Sequence, residues 1–182
     1  MSTFLIILFI VIVIIILLLL SYILLYNKIN EIIIRVDEAE EQIDNNLRDK
    51  YDSLDKMVTS AKNVCELDEK LCKDVLMLRS KKYSNFEFDR VLTKLNNDFL
   101  VIYEGNKKIK GNEDIVKTIK NIELIDDELI VLRNYYNSNI SYYNKLIKTF
   151  PMVLVAKING YKKKLYYSLK DMSDDDYEDF KL

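Results

Sequence analysis

The chain has 182 residues and contains no histidine, no tryptophan, one proline, three glycines and two cysteines. Without histidine the most common general base of enzymes is missing, and helical di-iron proteins that bind their metal through Glu-x-x-His are excluded. The sequence shows no glycine-rich phosphate loop and no nucleophile with a base beside it. We therefore predict that the protein is not an enzyme and has no catalytic, cofactor-binding or metal-binding residues.

The two cysteines, Cys65 and Cys72, do not fit the usual structural roles of cysteine. Seven residues of helix would separate their Cα atoms by about 10 Å, which is beyond disulfide reach. A structural zinc site needs four ligands, and no histidine is present to complete one. We expect both to be small, half-buried apolar residues.

Charge of neither sign dominates the chain. The formal net charge is -2, and six acidic residues lie in the last twelve residues. We predict that residues 171–182 form an acidic, disordered tail. The rest of the chain lacks the basic footprint of a nucleic-acid-binding protein, so no nucleic-acid partner is expected.

What the sequence has in excess is apolar residues at its start. Every residue from Phe4 to Leu20 is apolar, and no charged side chain precedes Lys28. A helix over residues 3–26 would span roughly 35 Å, enough to cross a hydrocarbon core of about 30 Å with some tilt. The basic start and small-residue cleavage site of a secretory signal peptide are missing. We predict that residues 1–26 form a retained, single-pass transmembrane anchor.

The orientation of this anchor is indicated by the basic residues that flank it. Lys28 and Arg35 lie just after the apolar run, and no lysine or arginine precedes it. Basic residues that flank a span tend to stay in the cytoplasm. The pattern favours a short amino-terminal tail outside and the rest of the chain in the cytoplasm.

Beyond the anchor, apolar residues recur at steps of three and four, the spacing of amphipathic helices. The four helical patterns cover residues 29–65, 67–78, 88–102 and 112–151. The first pattern continues the span, and the last begins at Asn112, a favourable N-cap, and ends at Pro151. No strand-like alternation of useful length is present before the tail. The fold class is therefore all-α, with a helical domain over residues 27–170.

One face of the fourth helix combines tyrosine with asparagine in a seven-residue repeat. Asparagine is a poor helix former because its amide competes for main-chain hydrogen bonds, so its presence twice on one face needs a reason. Polar residues of the first and fourth helices together form a candidate polar stripe. Its members are Gln42, Asp44, Arg133, Tyr136, Asn137, Tyr143 and Asn144.

Two interpretations of the polar stripe are open. Its side chains could hydrogen-bond across the interior and hold the first helix against the fourth in one register. They could instead line a groove for a ligand or a peptide. Buried polar networks in helical bundles more often specify geometry, which favours the first interpretation.

The same residues carry a resemblance to the LemA family of bacterial membrane-anchored proteins. Four patches match in the family's order: Tyr26-Asn27; Val36-x-Glu38-Ala39-x-x-Gln42-Ile43-Asp44-x-x-Leu47; Tyr51-Asp52; and Arg133-x-x-Tyr136-Asn137-x-x-Ile140-x-x-Tyr143-Asn144-x-x-Ile147-x-x-Phe150-Pro151. Asp55 and Lys56 replace the Pro-Asn that is usual in the family, so a straighter first helix is expected. The resemblance implies an antiparallel, up-down four-helix bundle with long first and last helices, and no known catalytic activity.

The segment after Pro151 mixes apolar, aromatic and basic residues, as interfacial segments do. In an up-down bundle of four helices the last helix ends back at the bilayer. We therefore predict that this segment rests on the membrane surface through Lys162, Lys163 and Lys164. The alternative is that residues 153–167 fold back and form part of the core.

These features together favour a membrane-anchored, non-enzymatic helical scaffold or adaptor of the bacterial cytoplasmic membrane. Its expected partners are the lipid bilayer and an unidentified protein, and a homo-oligomer is also compatible with the sequence. The alternative function is a single-span sensory or signalling element that couples the membrane to a cytoplasmic bundle. The three residues before the apolar run offer little to receive an outside signal, which favours the scaffold.

Overall fold

The structure is a computed structural model that describes residues 2–64, 69–80 and 82–169, with the side chains of residues 3–64, 69–80 and 82–168. Cys65 and residues 171–182 lie outside the described residues. The structure therefore does not test the predictions made for them.

Every regular element in the described ranges is helical, which confirms the all-α fold class. The elements are α1 (Ser2–Lys62), α2 (Glu69–Met77), a 3₁₀ turn (Leu78–Ser80), α3 (Asn85–Gly105), α4 (Lys107–Lys110), α5 (Glu113–Leu146), α6 (Met152–Ile158) and a second 3₁₀ turn (Tyr167–Leu169). The antiparallel, four-helix arrangement remains a prediction.

The first helix, α1, carries the amino-terminal apolar run and continues without a break to Lys62. Its most apolar 18-residue window has a mean hydropathy of 3.8, and none of that window is buried. By length and composition, α1 is the described helix that could cross a membrane. Burial begins at Ile29, after which apolar side chains at helical spacing face the interior. The predicted continuation of the apolar run into an amphipathic helix is confirmed.

Two later helices begin at side chains that satisfy the free N–H groups of a helix start. The Ser84 hydroxyl accepts from the Glu87 N–H at 3.2 Å, and the Glu87 carboxylate accepts in return from the Ser84 N–H, a capping box that starts α3. Asn112 Oδ1 accepts from the N–H groups of Asp114 and Ile115 at 3.0 and 3.2 Å. The predicted N-cap of the last long helix is thereby confirmed.

The chain divides into two compact units. Of the described residues, unit 1 contains 2–38 and 136–165, and unit 2 contains 39–64, 69–80, 82–135 and 166–169. The long helices α1 and α5 each contribute to both units.

Unit 1 has its core just beyond the apolar run of α1. The buried residues come from α1, the end of α5 and α6, and they are Ile29, Ile32, Tyr143, Leu146, Ile147, Met152, Val155 and Ala156. Burial of one large apolar side chain of this kind contributes about 1.5–3 kcal/mol. Since α5 ends at Leu146 and α6 is a separate helix, the predicted helix end at Pro151 is wrong. The buried face of α6 agrees with the alternative in which residues after Pro151 fold back as core.

Unit 2 has a core drawn from α1, α2, α3 and α5. Its completely buried apolar residues include Ile43, Leu47, Leu54, Met57, Leu92, Phe99, Ile115 and Ile122. A charged side chain, Lys50, is as deeply buried as these, at 1% exposure. Buried charges need partners, so this lysine marks a polar site inside the unit.

Candidate functional site

Two buried tyrosines of α5 are each followed by a half-buried asparagine. Tyr136 and Tyr143 are both 2% exposed, and seven residues separate them by two helical turns. Asn137 and Asn144 follow them on the helix. This part of α5 therefore offers hydroxyl and amide groups at a regular spacing.

These groups hold an extended segment of the same chain, residues 161–165, which we call the strap. Gly160 turns the chain after α6 with a φ of 67°, and the strap that follows has no helical structure. The Tyr143 hydroxyl donates to the Lys162 carbonyl at 3.0 Å, and the Tyr136 hydroxyl approaches the Leu165 carbonyl at 3.5 Å. Because later strap residues meet earlier α5 residues, the strap runs antiparallel to α5.

Asn144 makes the most complete contact with the strap. Its Nδ2 donates to the Lys164 carbonyl at 2.9 Å, and its Oδ1 accepts from the Lys164 N–H, also at 2.9 Å. A side-chain amide carries donor and acceptor on one planar group, so it can pair with a residue's main chain as a neighbouring strand would. Main-chain groups taken from water need such partners. Asn144 supplies the hydrogen-bond donor and acceptor that the main chain of an isolated extended segment lacks. This role explains why an asparagine occurs in this helix.

The first helix contacts the same strap and also Asn159, two residues before it. The Tyr161 hydroxyl donates to Asn30 Oδ1 at 2.9 Å, and Lys164 Nζ lies 3.2 Å from the Asp37 carboxylate. Asn159 Nδ2 donates to the hydroxyl of Tyr22 at 3.0 Å. The strap thereby links α1 and α5 within unit 1.

Burial keeps the hydroxyls of Tyr143, which binds the strap, and of Tyr161, which belongs to the strap, in their donating form. It raises the pKa of Tyr143 above its usual range, and it is also the main cause that raises the pKa of Tyr161. Both hydroxyls are therefore protonated at neutral pH. That state is the one required to donate to a carbonyl or amide oxygen.

Gln42 and Asp44, the stripe residues predicted on α1, belong to unit 2. Asp44 pairs with Arg48 on the next turn of the same helix at 2.9 Å. Gln42 is exposed and lines an open cleft of about 470 Å³. The predicted hydrogen bonding of Asn144 to the first helix is wrong, because its partner is the main chain of the strap. An extended segment has no helical periodicity, so the sequence pattern could not identify this partner.

Arg133, the remaining residue of the predicted stripe, forms an ion pair inside unit 2. Its Nη2 lies 2.6 Å from Asp89 Oδ2, and its guanidinium lies 5.8 Å from the centre of the Tyr167 ring. Burial raises the pKa of the Asp89 carboxyl, and the charges of Arg133 and Lys50 offset part of that rise. The pair joins α3 to α5, and removing either partner would leave a charge in a poorly hydrated place.

A second ion pair in unit 2 was missed by the sequence reasoning. The buried Lys50 ammonium donates to Asp126 of α5 and, at 3.0 Å, to the Thr93 hydroxyl of α3. A signal was present, because Lys50 lies three residues after Leu47 and four before Leu54, within the apolar stripe of α1. A lysine at a core position predicts a buried acidic partner.

The described residues offer little for metal chemistry. Within them, no group of three or more histidine, cysteine, aspartate or glutamate side chains is placed to hold a metal ion. The stripe residues of unit 1 hydrogen-bond to main-chain groups of the strap, whereas Lys50 and Arg133 of unit 2 form ion pairs. Both join separate segments of the chain.

The family model that matches this chain is that of the LemA family, and the match covers residues 39–178, well over half of the chain. It includes the stripe residues of both helices and the strap. No curated protein matches the chain.

Proposed function

The chain belongs to the LemA family, and from that premise we propose that it is a non-enzymatic helical scaffold or adaptor held in the bacterial cytoplasmic membrane by α1. The apolar run of α1 supports the anchor, because its side chains are exposed and find no cover among the residues that the structure describes. The flanking Lys28 and Arg35 support an orientation with the short amino terminus outside and the helical units in the cytoplasm.

The observation that carries the scaffold proposal is that the chain itself occupies the part of its polar stripe that lies in unit 1. Asn144 uses both donor and acceptor on Lys164, and Tyr143 uses its hydroxyl on Lys162. A groove built for a ligand would present such groups to solvent until the ligand arrives. The occupied stripe favours a structural role, and a protein with such a role acts through its outer surface.

A surface suited to a protein partner lies on α5 in unit 2. Leu124 and Val131 are exposed and lie two helical turns apart, and Val131 borders the cleft that Gln42 also lines. Exposed apolar side chains with a polar rim are typical of protein contact sites. We propose that this surface, which we call the α5 surface, receives the partner.

A photo-crosslinking residue placed at Val131 of the full-length chain, in native membranes, tests the proposal. We expect one discrete crosslinked product with a second protein. The matched control is the same residue at Lys117, which is exposed on the same helix and pairs with Glu113. A product with the mass of two copies would identify the partner as a second copy of this chain. Equal and diffuse crosslinking at both positions would contradict the scaffold proposal.

A further inference from the structure

The short helix α6 has one buried face and one exposed apolar face. Met152, Val155 and Ala156 are buried in the core of unit 1. On the other face Leu154 and Ile158, one turn apart, are 53% and 71% exposed, and Phe150 just before the helix is 80% exposed. We call Phe150, Leu154 and Ile158 the α6 face. Three large apolar side chains within nine residues of sequence are left in water, which suggests a partner that covers them.

Contacts within unit 1 place α6 beside the end of the apolar run. Asn159, directly after α6, hydrogen-bonds to the hydroxyl of Tyr22, which is two residues beyond Leu20 at the end of the run. Along a helix two residues correspond to about 3 Å. Tyr22 and Leu25 also pack against the cluster that contains the buried side of α6. Any bilayer that holds the apolar run therefore has its surface close to α6.

The stretch of sequence that contains α6 carries charge of a single sign. From residue 145 to residue 164 the sequence contains six lysines and no acidic residue. Lys163 lies beside Lys148 and lowers the pKa of the Lys148 amine, so two like charges stand together without an acid between them. Lys164, by contrast, pairs with Asp37. The lysines exposed to an anionic partner are therefore Lys145, Lys148, Lys157, Lys162 and Lys163, which include two of the three lysines predicted from the sequence.

We propose that the α6 face inserts into the boundary between headgroups and acyl chains of an anionic lipid leaflet, at the level where α1 leaves the membrane. Amphipathic helices bind this way with the apolar face about 5–10 Å deep and lysines among the lipid phosphates. The bilayer is favoured as the occupant because α1 brings it to the position of α6 and because every charged residue of the sequence from 145 to 164 is a lysine. The inference rests on the proposed membrane anchor and adds a second point of contact to it.

Single tryptophans in the full-length chain test the proposal directly, because the chain has none of its own. Three variants are reconstituted in anionic vesicles: Leu154→Trp on the α6 face, Ile12→Trp within the apolar run, and Ile34→Trp. Ile34 is an exposed apolar residue of unit 1, twelve residues after Tyr22, or about 18 Å along the helix. Lipids brominated at shallow or deep acyl positions quench tryptophans that touch them, and acrylamide quenches those in water.

The three positions should respond differently. We expect Leu154→Trp to be quenched severalfold more by shallow bromines than by deep ones, Ile12→Trp to be quenched most by deep bromines, and Ile34→Trp to be quenched by acrylamide alone. Adding Lys148→Gln and Lys163→Gln to Leu154→Trp should weaken its quenching in anionic vesicles, as should high salt. Inorganic phosphate at matched concentration should leave the quenching unchanged, which distinguishes a lipid headgroup from a free phosphate.

Other outcomes overturn the inference in distinguishable ways. If Leu154→Trp is as open to acrylamide as Ile34→Trp while Ile12→Trp is quenched by lipid, the anchor stands and the α6 inference fails. Protection of Leu154→Trp from both quenchers would mean that protein covers the α6 face. If Ile12→Trp is not quenched by lipid, the anchor fails and the inference fails with it.

Discussion

At the scale of single residues, Asn144 shows how one side-chain amide can make the main-chain hydrogen bonds that a neighbouring strand would otherwise make. It pairs with both main-chain groups of Lys164, and this requires a donor and an acceptor on the same group. Sequence reasoning identified Asn144 and Tyr143 as members of one stripe because their spacing is periodic. It could not identify their partner, since the strap is extended and its contacts with α5 involve main-chain atoms, which every residue has.

We predict that Asn144→Asp lowers the free energy of unfolding by about 1–3 kcal/mol. The substitution removes the donor to the Lys164 carbonyl and places a carboxylate against that oxygen. The measurement is urea denaturation of the full chain in detergent. The matched control is Asn134→Asp, an exposed position of the same helix, where a change within about 0.5 kcal/mol is expected. Equal effects at both positions would show that the strap contact adds nothing to stability.

Asp89 gives a pH dependence that can be checked by substitution. Burial raises its folded-state pKa above the ordinary value of 3.8, so the folded protein binds the proton more tightly than the unfolded chain. The contribution of Asp89 to stability is therefore greatest at acid pH and declines as pH rises from below 3.8 through the raised pKa. We predict that the difference in Tm between the parent and Asp89→Asn falls over that range. A difference that grows with pH would mean that the Arg133 pair outweighs burial.

At the scale of elements, the single proline shows where sequence reading misplaced a boundary. The sequence pattern predicts that the last helix ends at Pro151, but Pro151 directly precedes α6, whose first residue is Met152. Proline is compatible with a helix start because the first N–H groups of a helix have no partner within the helix. A lone proline after an apolar stripe is consistent with either position. The buried residues of α6 decide between them, and only the tertiary structure shows that burial.

The turn at Gly160 is the element that directs the chain from α6 into the strap. Its φ of 67° lies in the left-handed region, where a Cβ adds roughly 1–2 kcal/mol, and no atom lies within 4 Å of that Cβ position. We predict that Gly160→Ala lowers the free energy of unfolding by about that amount. Gly105→Ala is the control, because Gly105 also has open space but no positive φ, and it should be neutral or slightly stabilising. Similar destabilisation by both changes would argue against a backbone cause.

At the scale of the whole molecule, the all-α class and the long apolar helix could be predicted because they depend on composition and period alone. The division into two units could not. Helical stripes run through residues 38 and 136 without a change of pattern, since α1 and α5 each serve both units. The partners of Lys50 could not be predicted either. Helical periodicity shows which residues are interior, but it does not show which helices meet there.

The orientation of the proposed membrane anchor is also a property of the whole molecule. We predict that a membrane-impermeant thiol reagent leaves Cys65 unlabelled in intact cells and labels it after lysis under mildly denaturing conditions, because the basic residues after the span favour a cytoplasmic location. Cys72 is buried and reacts little without denaturation. As a control, Thr3→Cys should be labelled in intact cells. Efficient labelling of Cys65 in intact cells would reverse the orientation.

Because α5 contacts the strap through main-chain atoms of the strap, strap residues can be substituted without loss of these contacts. The contacts of Tyr143 and Asn144 are with the carbonyl of Lys162 and with the carbonyl and N–H of Lys164. Any residue can take position 162 without loss of its carbonyl, and only proline at position 164 would remove an N–H. Related chains can therefore change the charge carried by the strap over evolutionary time while its docking geometry on α5 persists.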